Sequence, residues 1–394
     1  MNLRDHNSVS DRRKAIEHEL NVDLNNIGQF SLDESTASTR NCENMIGVAQ
    51  IPLGVAGPLK IKNLTFKIFN LYLPLATTEG ALVASVNRGC KAISESGGAT
   101  VDSYRVGVTR GSVFQVSGLA ENNKFNTFLE DNFKELQSIA RQSSNHLTLT
   151  KFFSRGLGRF RYIRFVFDTE DAMGMNMATI ATTSLCTYIE AKTDVRCTSV
   201  AGNYDVDKKS SWLNIIEGRG FKTWAEVILP SLVLRDILKT SAQQIYDVWI
   251  NKCMIGSAMS GSMGFNAQYA NIVAAIFLAT GQDSAHVVEG SLGITTCEII
   301  EGKSLYVSIY LPDLMVGTVG GGTGLATQKE ALAMLGVAGG SRAGEEGKNA
   351  QRFAEIIGGA VLAGEISLLA SLSIGTLAQS HETLARGKRE IANC

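Results

Sequence analysis

Hydrophobic positions recur along this chain either at every second residue, as in strands, or about every 3.6 residues, as in helices. The order in which these two patterns follow one another divides the chain into regions. Between residues 112 and 200 the pattern predicts a strand, a helix, two strands, a helix and a last strand. These predicted elements are, in order, 112–118, 123–141, 147–153, 159–167, 175–192 and 195–200. Their succession is typical of a ferredoxin-like unit. We therefore expect residues 112–200 to form a small ferredoxin-like domain inserted into a larger one.

The rest of the chain has mostly helical periodicity. Its predicted helices are 10–20, 81–96, 241–260, 266–279, 328–335 and 349–380. The last is long and apolar on most faces, so it should lie in the core or in a subunit interface. We predict an α+β fold, with a helical arm at 1–40 and a large mixed helical and sheet domain formed by 41–111 and 201–394. No GxGxxG or P-loop pattern occurs, so a Rossmann domain is not expected.

Composition narrows the class of protein. The 394 residues are 44% hydrophobic and 19% charged, which is typical of a globular protein. The net charge of -1 offers no general attraction for nucleic acid or an anionic membrane. Seven cysteines and five histidines form no CxxC or HExxH pattern, so a reducing compartment and no structural metal are expected. Without a signal peptide or an apolar run of ~20 residues, the chain should be soluble and cytoplasmic.

Five polar segments carry the candidate chemistry, because each places polar or charged residues among small and apolar ones. The first, Ala76-Thr-Thr-Glu79-Gly80, opens a predicted helix. In its protonated form, the carboxyl group of Glu79 is able to donate a proton to a substrate oxygen. Local sequence alone favours a simpler role, in which Thr77, Thr78 and Glu79 cap the first N–H groups of that helix.

Two further segments suit an anionic cofactor. A helix is predicted to begin within Asp171-Ala-Met-Gly174-Met-Asn176, and the free N–H groups of a helix start bind phosphate. The Gly-rich residues 317–323 precede another helix and are able to cradle phosphate, although such a loop alone is a weak indication. Ordinary packing of methionines in a core explains the first of these segments without any ligand.

The remaining segments offer acid–base groups. Residues 202–209 form a polar loop that includes Lys208, and a lysine can polarise a carbonyl oxygen. Gly281-Gln-Asp283 follows one predicted helix, and His381 ends another. A solvated turn and ordinary helix ends are the simpler interpretations of these two segments and of His381.

Together and in this order, the segments resemble the HMG-CoA reductase family, in particular its class I form found in eukaryotes and archaea. The matching stretches are 43–47, 55–59, 76–80, 171–177, 207–209, 256–259, 271, 281–283, 317–323 and 380–381. Members of that family reduce (S)-HMG-CoA to mevalonate and CoA by two successive hydride transfers from NADPH, in isoprenoid biosynthesis. The membrane anchor of eukaryotic members has no counterpart here, so the resemblance implies a soluble oxidoreductase.

The resemblance implies one side chain for each proton or charge that this chemistry must handle. Lys208 would polarise the thioester oxygen, and Glu79 would donate the proton of the new hydroxyl. Asp283 would tune both through a shared hydrogen-bond network. His381 would protonate the departing CoA thiolate. The site would form between two subunits, so a homodimer or a dimer of dimers is implied.

Three groups of binding residues follow from the same resemblance. Those for the HMG part of the substrate are Arg110, Asp207, Lys209, Lys252 and Asn271. Those for CoA are Ser85, Asn87 and Arg88. Those for the nicotinamide cofactor are Ser144, Asn145, Asp171, Met173, Gly174, Met175, Asn176, Gly320, Gly321 and Gly322.

Three positions depart from the family pattern. Ala201 stands where a serine is usual, which removes one hydroxyl from the substrate pocket. Asn145 stands where many members have an arginine for the 2′-phosphate of NADPH, so NADH is possible. The serine that follows the catalytic histidine in animal enzymes, and regulates them, is absent after His381. The change at Asn145 leaves open a catabolic enzyme that oxidises mevalonate with NAD.

Two other classes of protein remain. A CoA acyltransferase would use Cys90 as its nucleophile and His381 as its base. A CoA-binding protein without turnover would need the pocket alone. Packing is the simpler role for Cys90, which lies in an apolar helix. The presence of all four proposed catalytic side chains argues against a protein without turnover.

Overall fold

The computed structural model describes residues 6–64 and 68–375, so His381 lies outside the described residues. The fold is α+β, as predicted. Its helices are α1 (Val9–Leu20), α2 (Glu34–Arg40), α3 (Leu82–Glu95), α4 (Leu119–Asp131), α5 (Phe133–Gln142), α6 (Met175–Lys192), α7 (Trp212–Glu217), α8 (Ser231–Asp236), α9 (Ala242–Val248), α10 (Ser257–Ser260), α11 (Tyr269–Thr280), α12 (Val287–Gly290), α13 (Ala326–Met334) and α14 (Lys348–Ser373).

Ten strands accompany these helices. They are β1 (Leu53–Asn63), β2 (Ile68–Ala76), β3 (Ala99–Gln115), β4 (Thr148–Leu157), β5 (Phe160–Asp168), β6 (Arg196–Ser199), β7 (Arg219–Leu229), β8 (Gly264–Phe265), β9 (Gly293–Ile300) and β10 (Ser304–Leu314). Seven of them form the main sheet in the order β2-β1-β3-β7-β10-β9-β8. Its neighbours are antiparallel except for the parallel pairs β1–β3 and β8–β9.

Helix α14 is the centre of the larger core. It packs against the main sheet and against α3, α9 and α11. By length and composition it could cross a membrane, but its most apolar window is 83% buried within the protein. Gly89 of α3 lies against the backbone of Ala363, where any side chain would overlap the helix. This close contact fixes α3, and the polar turn before it, relative to the core.

A second, smaller core lies between α4, α5 and α6 and the strands β4, β5, β6 and the second half of β3. These strands are all antiparallel and lie in the order β4-β5-β3-β6. The order of elements along the chain is the predicted one. The single helix predicted at 123–141 is wrong in one respect, because it is divided at Asn132 into α4 and α5.

Strand β3 belongs to both cores. Residues 100–107 pair with β7, whereas residues 108–115 pair with β5. One continuous strand therefore joins the small unit to the large one. This connection matters for the site, because Arg110 lies on β3 just after the point where the strand leaves one sheet for the other.

Candidate functional site

A cleft of about 1150 Å³ opens beside α3, α11 and the segment around α10. Five of the residues proposed from the sequence line it, namely Glu79, Ser85, Arg88, Lys252 and Asn271. They come from positions up to 192 residues apart in the chain, so the fold has gathered them. Ser210 and Val288 also line the cleft, and they lie two residues after Lys208 and five after Asp283.

Glu79 does not cap helix α3. The helix begins three residues later, with Ala81 in a left-handed conformation at its N-cap and no side-chain capping bond. The backbone N–H of Glu79 donates to the hydroxyl of Thr77 at 3.0 Å. Its exposed carboxylate instead accepts from the amide of Asn271 at 3.4 Å. The turn therefore presents Glu79 to the cleft and leaves it available for chemistry.

Lys252 reaches the same cleft from an unusual piece of helix. Residues Trp249–Gly256 form a π-helical stretch that continues α9 and leads into α10. Such wide turns are rare in helices and are frequent at functional sites. The sequence predicted one helix at 241–260, and the π-helical stretch within it places Lys252 in the lining of the cleft.

Lys208 and Asp283 form an ion pair, with 2.7 Å between Nζ and Oδ2. Lys208 has a left-handed backbone conformation, which turns the loop after β6 toward Asp283. Burial would raise the pKa of Asp283, but hydrogen bonds from Lys208 and from the N–H of Ala285, with the charge of His286, lower it below 3.8. Both side chains remain more than one-third exposed, so a bound substrate is able to reach them.

A buried network of charges lies behind this pair, and the sequence had not pointed to it. The guanidinium of Arg219 contacts Asp207 at 2.8 Å and Glu289 at 2.6 Å. Glu289 also accepts from the backbone N–H of Lys208 at 3.0 Å and is hydrogen-bonded to Nδ1 of His286. The network therefore supports both ends of the Lys208–Asp283 pair from the protein interior.

Asp313 adds a second buried acid to the network. Burial and the charge of Glu289 raise the pKa of Asp313 well above its usual range, although Arg219 and Arg164 oppose this. Arg219 stays charged because the acids around it offset the effect of its burial.

Asp207, His286 and Glu289 offer three ligand atoms within 4.8 Å of one another, a spacing that would suit a metal ion. However, the guanidinium of Arg219 already contacts both carboxylates. The positive charge that these acids need is thus supplied by the protein itself. For that reason we interpret the group as a structural charge network.

The substrate-binding residues predicted around Asp207 are also brought together. Arg110 contacts Asp205 at 3.2 Å and Asp207 at 3.8 Å. The Nζ of Lys209 donates to the backbone carbonyl of Asp207 at 3.1 Å. Asp207 thus lies close to Arg110 on β3 and to Lys209 in its own loop. Such a cluster suits a substrate that carries both a carboxylate and a hydroxyl.

Asp171 is buried, and its carboxylate is already occupied. It accepts from the backbone N–H groups of Ser341 at 2.7 Å, Gly347 at 3.2 Å and Ala350 at 3.0 Å. Burial would raise the pKa of Asp171, but these hydrogen bonds lower it below 3.8. Asp171 therefore fastens the start of α14 to the segment that precedes α6.

The Gly-rich loop lies between two of the other motifs. A side chain at Gly317 would overlap the backbone of Met173, and one at Gly281 would overlap the carbonyl of Gly322. The side-chain oxygen of Gln282 accepts from the N–H of Gly317 at 2.9 Å. The segments at 171–176, 281–283 and 317–323 therefore form one contiguous surface. Local sequence could not show this, because backbone contact leaves no hydrophobic pattern.

The start of α6 is open in the way that a phosphate or nicotinamide site requires. Gly174 caps the helix in a left-handed conformation, and Asn176 is exposed in the first turn. Met173 and Met175 are partly buried and pack on the small core, as the simpler interpretation expected. Met175 is also contacted by the guanidinium of Arg219 at 2.8 Å. Gly320 and Gly321 leave open space above them.

Ser144 and Asn145 lie in the turn between α5 and β4, on the small unit. The hydroxyl of Ser144 accepts from the N–H of His146 at 3.1 Å, and Asn145 is exposed. His146 pairs with Glu170 at 2.7 Å, so this turn lies close to the residue before Asp171. The turn therefore faces the same region as the start of α6.

The three residues assigned to CoA differ in their surroundings. Arg88 donates to the hydroxyl of Ser367 at 3.0 Å, and Ser85 donates to the same hydroxyl at 3.0 Å. Burial lowers the pKa of Arg88. Asn87 accepts from the N–H of Gly57 at 2.9 Å and so ties α3 to β1. Ser85 and Arg88 line the cleft, and the contact shown for Asn87 is with the fold itself.

Cys90 faces the core. Its side chain is fully buried, and burial raises the pKa of the thiol to about 12. A thiol in this setting is neither ionised nor accessible, so the geometry contradicts the acyltransferase alternative.

Comparisons with known proteins identify the family of the chain. The model of the family described as hydroxymethylglutaryl-coenzyme A reductase matches residues 8–386. The 3-hydroxy-3-methylglutaryl-coenzyme A reductase of Methanocaldococcus jannaschii is 49% identical over 381 residues, 95% of this chain and 92% of the relative. That of Methanothermobacter thermautotrophicus is 46% identical, over 96% of this chain and 94% of the relative.

A solved structure shares the fold. It is the class II 3-hydroxy-3-methylglutaryl-CoA reductase of Streptococcus pneumoniae bound to NADPH, with a TM-score of 0.69 and 18% identity. The similarity covers 93% of this chain and 98% of that one. From the family match and the archaeal relatives, we conclude that the chain belongs to the hydroxymethylglutaryl-coenzyme A reductase family.

Proposed function

We propose that this protein reduces (S)-HMG-CoA to mevalonate and free CoA with NADPH, in the mevalonate pathway. One observation carries the proposal beyond family membership: Lys208 and Asp283 form an ion pair at 2.7 Å, and Ser210 and Val288, which follow them closely in the chain, line the cleft that holds Glu79. Thioester reduction needs a cation at the carbonyl oxygen and a proton donor nearby. Lys208 would be that cation and Glu79 that donor.

Lys208 is the group that would stabilise negative charge on the substrate oxygen. Its Nζ is exposed and held by Asp283, whose lowered pKa keeps it ionised at neutral pH. When hydride reaches the carbonyl carbon, the oxygen becomes an alkoxide and draws Lys208 toward it. The first product is a thiohemiacetal, which releases CoA thiolate to give an aldehyde. The second reduction returns the same charge to the same oxygen, so Lys208 serves both.

Glu79 would supply the proton of the new hydroxyl. Its carboxylate is exposed to the cleft and is oriented by the amide of Asn271. Because an amide N–H holds one carboxylate oxygen, the other is free to face the substrate. Lys252 lines the same cleft and provides a positive charge near this acid.

The substrate's own carboxylate would be bound by the cluster around Asp207. Arg110 and Lys209 offer N–H donors there, and Asp207 offers an acceptor for the substrate hydroxyl. The CoA portion would lie along the cleft past Ser85 and Arg88. A cleft of about 1150 Å³ has room for an elongated thioester.

The surface formed by the start of α6 and the Gly-rich loop fits a nicotinamide cofactor. Its exposed helix N-terminus suits phosphate, and the open space at Gly320 and Gly321 lets a ligand approach the backbone. A bound reduced nicotinamide would supply hydride. Asn176 would face the nicotinamide, while Asp171 stabilises this surface through its buried hydrogen bonds to the start of α14. Ser144 and Asn145 would contact the adenosine part of the cofactor.

We further propose the division of the chain into an arm at 1–40, a substrate domain at 41–111 and 201–394, and a ferredoxin-like cofactor domain at 112–200. The separate small core and its strand order support that division. Family membership supports a homodimer or a dimer of dimers, in which two subunits form each active site. It also supports a location in the cytoplasm. His381 would complete the site as the acid for the CoA thiolate.

Absorbance of the reduced nicotinamide tests the proposal directly. Purified protein with HMG-CoA should consume NADPH in a ratio of two per mevalonate formed. Lys208→Met should lower kcat by at least ~100-fold, because the developing alkoxide loses its cation. Lys239→Met, an exposed control in a turn outside the cleft, should match the wild type. Consumption of mevalonate and NAD in preference to HMG-CoA and NADPH would favour the catabolic alternative.

A further inference from the structure

His286 lies between the proposed catalytic pair and the buried charge network. It ends the short 3-10 turn Ser284–His286, which Asp283 caps by accepting from the N–H of Ala285 at 3.0 Å. Its side chain is fully buried. This ring therefore contacts the interior side of the site, whereas a substrate would approach from the cleft.

The two ring nitrogens of His286 face two different acids. Nδ1 is hydrogen-bonded to Glu289, and Nε2 lies 3.8 Å from Oδ2 of Asp283. Among the residues that the structure describes, Nε2 has no hydrogen-bond partner. A buried polar nitrogen without a partner is costly, and a short movement of Asp283 would provide one.

The nearby oxygen of Asp283 is the one that Lys208 uses. Oδ2 contacts Nζ of Lys208 at 2.7 Å, while Oδ1 is occupied by the N–H of Ala285. When Lys208 turns toward a developing alkoxide, Oδ2 loses part of its positive partner. Nε2 of His286 is then the donor within reach on the opposite side.

We propose that His286 is a positioning residue for Asp283: its Nε2–H holds Oδ2 in place and ionised while Lys208 moves to the substrate oxygen. This inference rests on the proposed function. In this role Nε2 carries a proton, while Nδ1 keeps its hydrogen bond with Glu289. The surrounding charged groups are Glu289 and Asp283 on its own segment, Asp207 and Lys208 on the loop after β6, Arg219 on β7 and Asp313 on β10.

The arrangement explains why Arg219 and Glu289 are buried together behind a solvent-exposed pair. Glu289 orients the ring through Nδ1, and Arg219 keeps Glu289 in place at 2.6 Å. Glu289 also holds the backbone N–H of Lys208 at 3.0 Å. Glu289 thus fixes the backbone of Lys208 and also orients His286, which supports Asp283.

A double-mutant cycle tests the inference. His286→Leu, which cannot donate, should lower kcat for HMG-CoA reduction about ten- to hundredfold with little change in KM. His286→Gln, which keeps a donor near the position of Nε2, should recover most of that loss. In an Asp283→Asn background, His286→Leu should change kcat less than about twofold, because its partner is gone.

Controls separate this role from a purely structural one. His18→Leu, on the exposed face of α1, should match the wild type. If His286→Leu does not fold, His286→Met, which also cannot donate, and its combination with Asp283→Asn complete the cycle. Equal losses from His286→Leu in both backgrounds, or an unchanged kcat, would overturn the proposal.

One readout does not depend on turnover and so distinguishes this inference from the proposed function. The carboxyl ¹³C resonance of Asp283 should titrate at higher pH in His286→Gln than in the wild type, and higher still in His286→Leu. An unchanged titration would refute the role of His286 even in an active enzyme. A shifted titration in a protein that does not reduce HMG-CoA would refute only the proposed function.

Discussion

The backbones of Gly281 and Gly322 touch so closely that neither residue has room for a side chain. A Cβ at Gly322 would lie 2.6 Å from the carbonyl oxygen of Gly281, and one at Gly281 would overlap the carbonyl of Gly322. This contact joins the segment that carries Asp283 to the Gly-rich loop proposed for the cofactor. The position of Asp283 and the shape of the proposed cofactor surface therefore depend on each other.

Gly322→Ala should therefore disturb both the position of Asp283 and the shape of the proposed cofactor surface. We expect about 1–3 kcal/mol of destabilisation, since the overlap is with backbone and cannot be relieved by a rotamer change. The Kd for NADPH and the unfolding temperature, measured together, check this. Gly324→Ala is the matched control in the same loop, because a Cβ there has open space and an ordinary φ. Equal behaviour of the two variants would contradict this account of the contact.

Asp171→Asn should lower stability more than it lowers cofactor binding. The aspartate accepts three backbone hydrogen bonds from the residues around the start of α14, and an amide would turn one acceptor into a donor facing N–H groups. We expect a loss of about 2–4 kcal/mol. Chemical denaturation at pH 7 measures it, with Asp194→Asn in the turn after α6 as a control. A weakened Kd for NADPH at wild-type stability would instead make Asp171 a ligand contact.

The pH dependence of this contribution has a definite sign. The pKa of Asp171 is lower in the folded protein than 3.8. Its stabilisation is therefore fully present above the unfolded value of ~3.9 and is lost as pH falls through the folded value. The difference in stability between wild type and Asp171→Asn should shrink below about pH 4.

The sequence was sufficient for several of the longer helices and pointed to the proposed residues of the exposed site. Helical periodicity predicted α3, α11 and α13 to within a few residues, and it predicted the start of α14, which ends at Ser373 and not at residue 380. Short polar segments pointed to Glu79, Lys208 and Asp283, because charged residues among small ones are conspicuous.

The buried part of the site could not be predicted in the same way. Arg219 begins a strand, and His286 and Glu289 follow Asp283 at ordinary spacings, so nothing local marks them as interior. Their burial is decided by contacts between segments up to 110 residues apart. The shared strand β3 was also missed, because its hydrophobic pattern continues unchanged while its neighbours change from one sheet to the other.

Glu355→Gln should stabilise the protein at alkaline pH. Burial and the charge of Asp102 raise the pKa of Glu355 to about 7, although a hydrogen bond from Ser103 opposes this. Between pH ~4.5 and 7 the folded state holds a proton that the unfolded state has lost, so stability falls as pH rises through that range. Because glutamine never ionises, the stability of the variant does not decrease with pH for this reason.

The expected gain from Glu355→Gln is about 3 kcal/mol at pH 8 and close to zero at pH 5. Denaturant unfolding at both pH values measures it. Glu19→Gln, on the exposed face of α1, serves as the control and should show no such difference. A gain of equal size at both pH values would mean that packing, and not ionisation, is responsible.

Asn145→Arg should increase the preference for NADPH over NADH. Asn145 is exposed in the turn that faces the cofactor surface, and a guanidinium there would bind a 2′-phosphate with paired hydrogen bonds. We expect the ratio of kcat/KM for the two cofactors to rise about ten- to hundredfold. Asn145→Gln is the control, because it lengthens the side chain without adding a positive charge. If neither variant changes the ratio, the 2′-phosphate is bound elsewhere.

Asp283→Asn should abolish most turnover with little loss of stability. The Lys208–Asp283 pair is more than one-third exposed, so solvent screens its contribution to folding. During catalysis, however, a neutral amide lacks the negative charge that holds the ammonium group of Lys208 in place. We expect kcat to fall at least about 100-fold with a small change in unfolding temperature.

The pH profile sharpens this last prediction. Because the pKa of Asp283 lies below 3.8, the acid remains ionised in the wild type above about pH 4, and any acid limb of the kcat profile seen above that pH should persist in Asp283→Asn. Asp236→Asn, which breaks an exposed ion pair with Arg235 at 2.7 Å, is the control and should retain full activity. An acid limb near pH 6 that disappears in Asp283→Asn would assign that titration to Asp283 and contradict the lowered pKa.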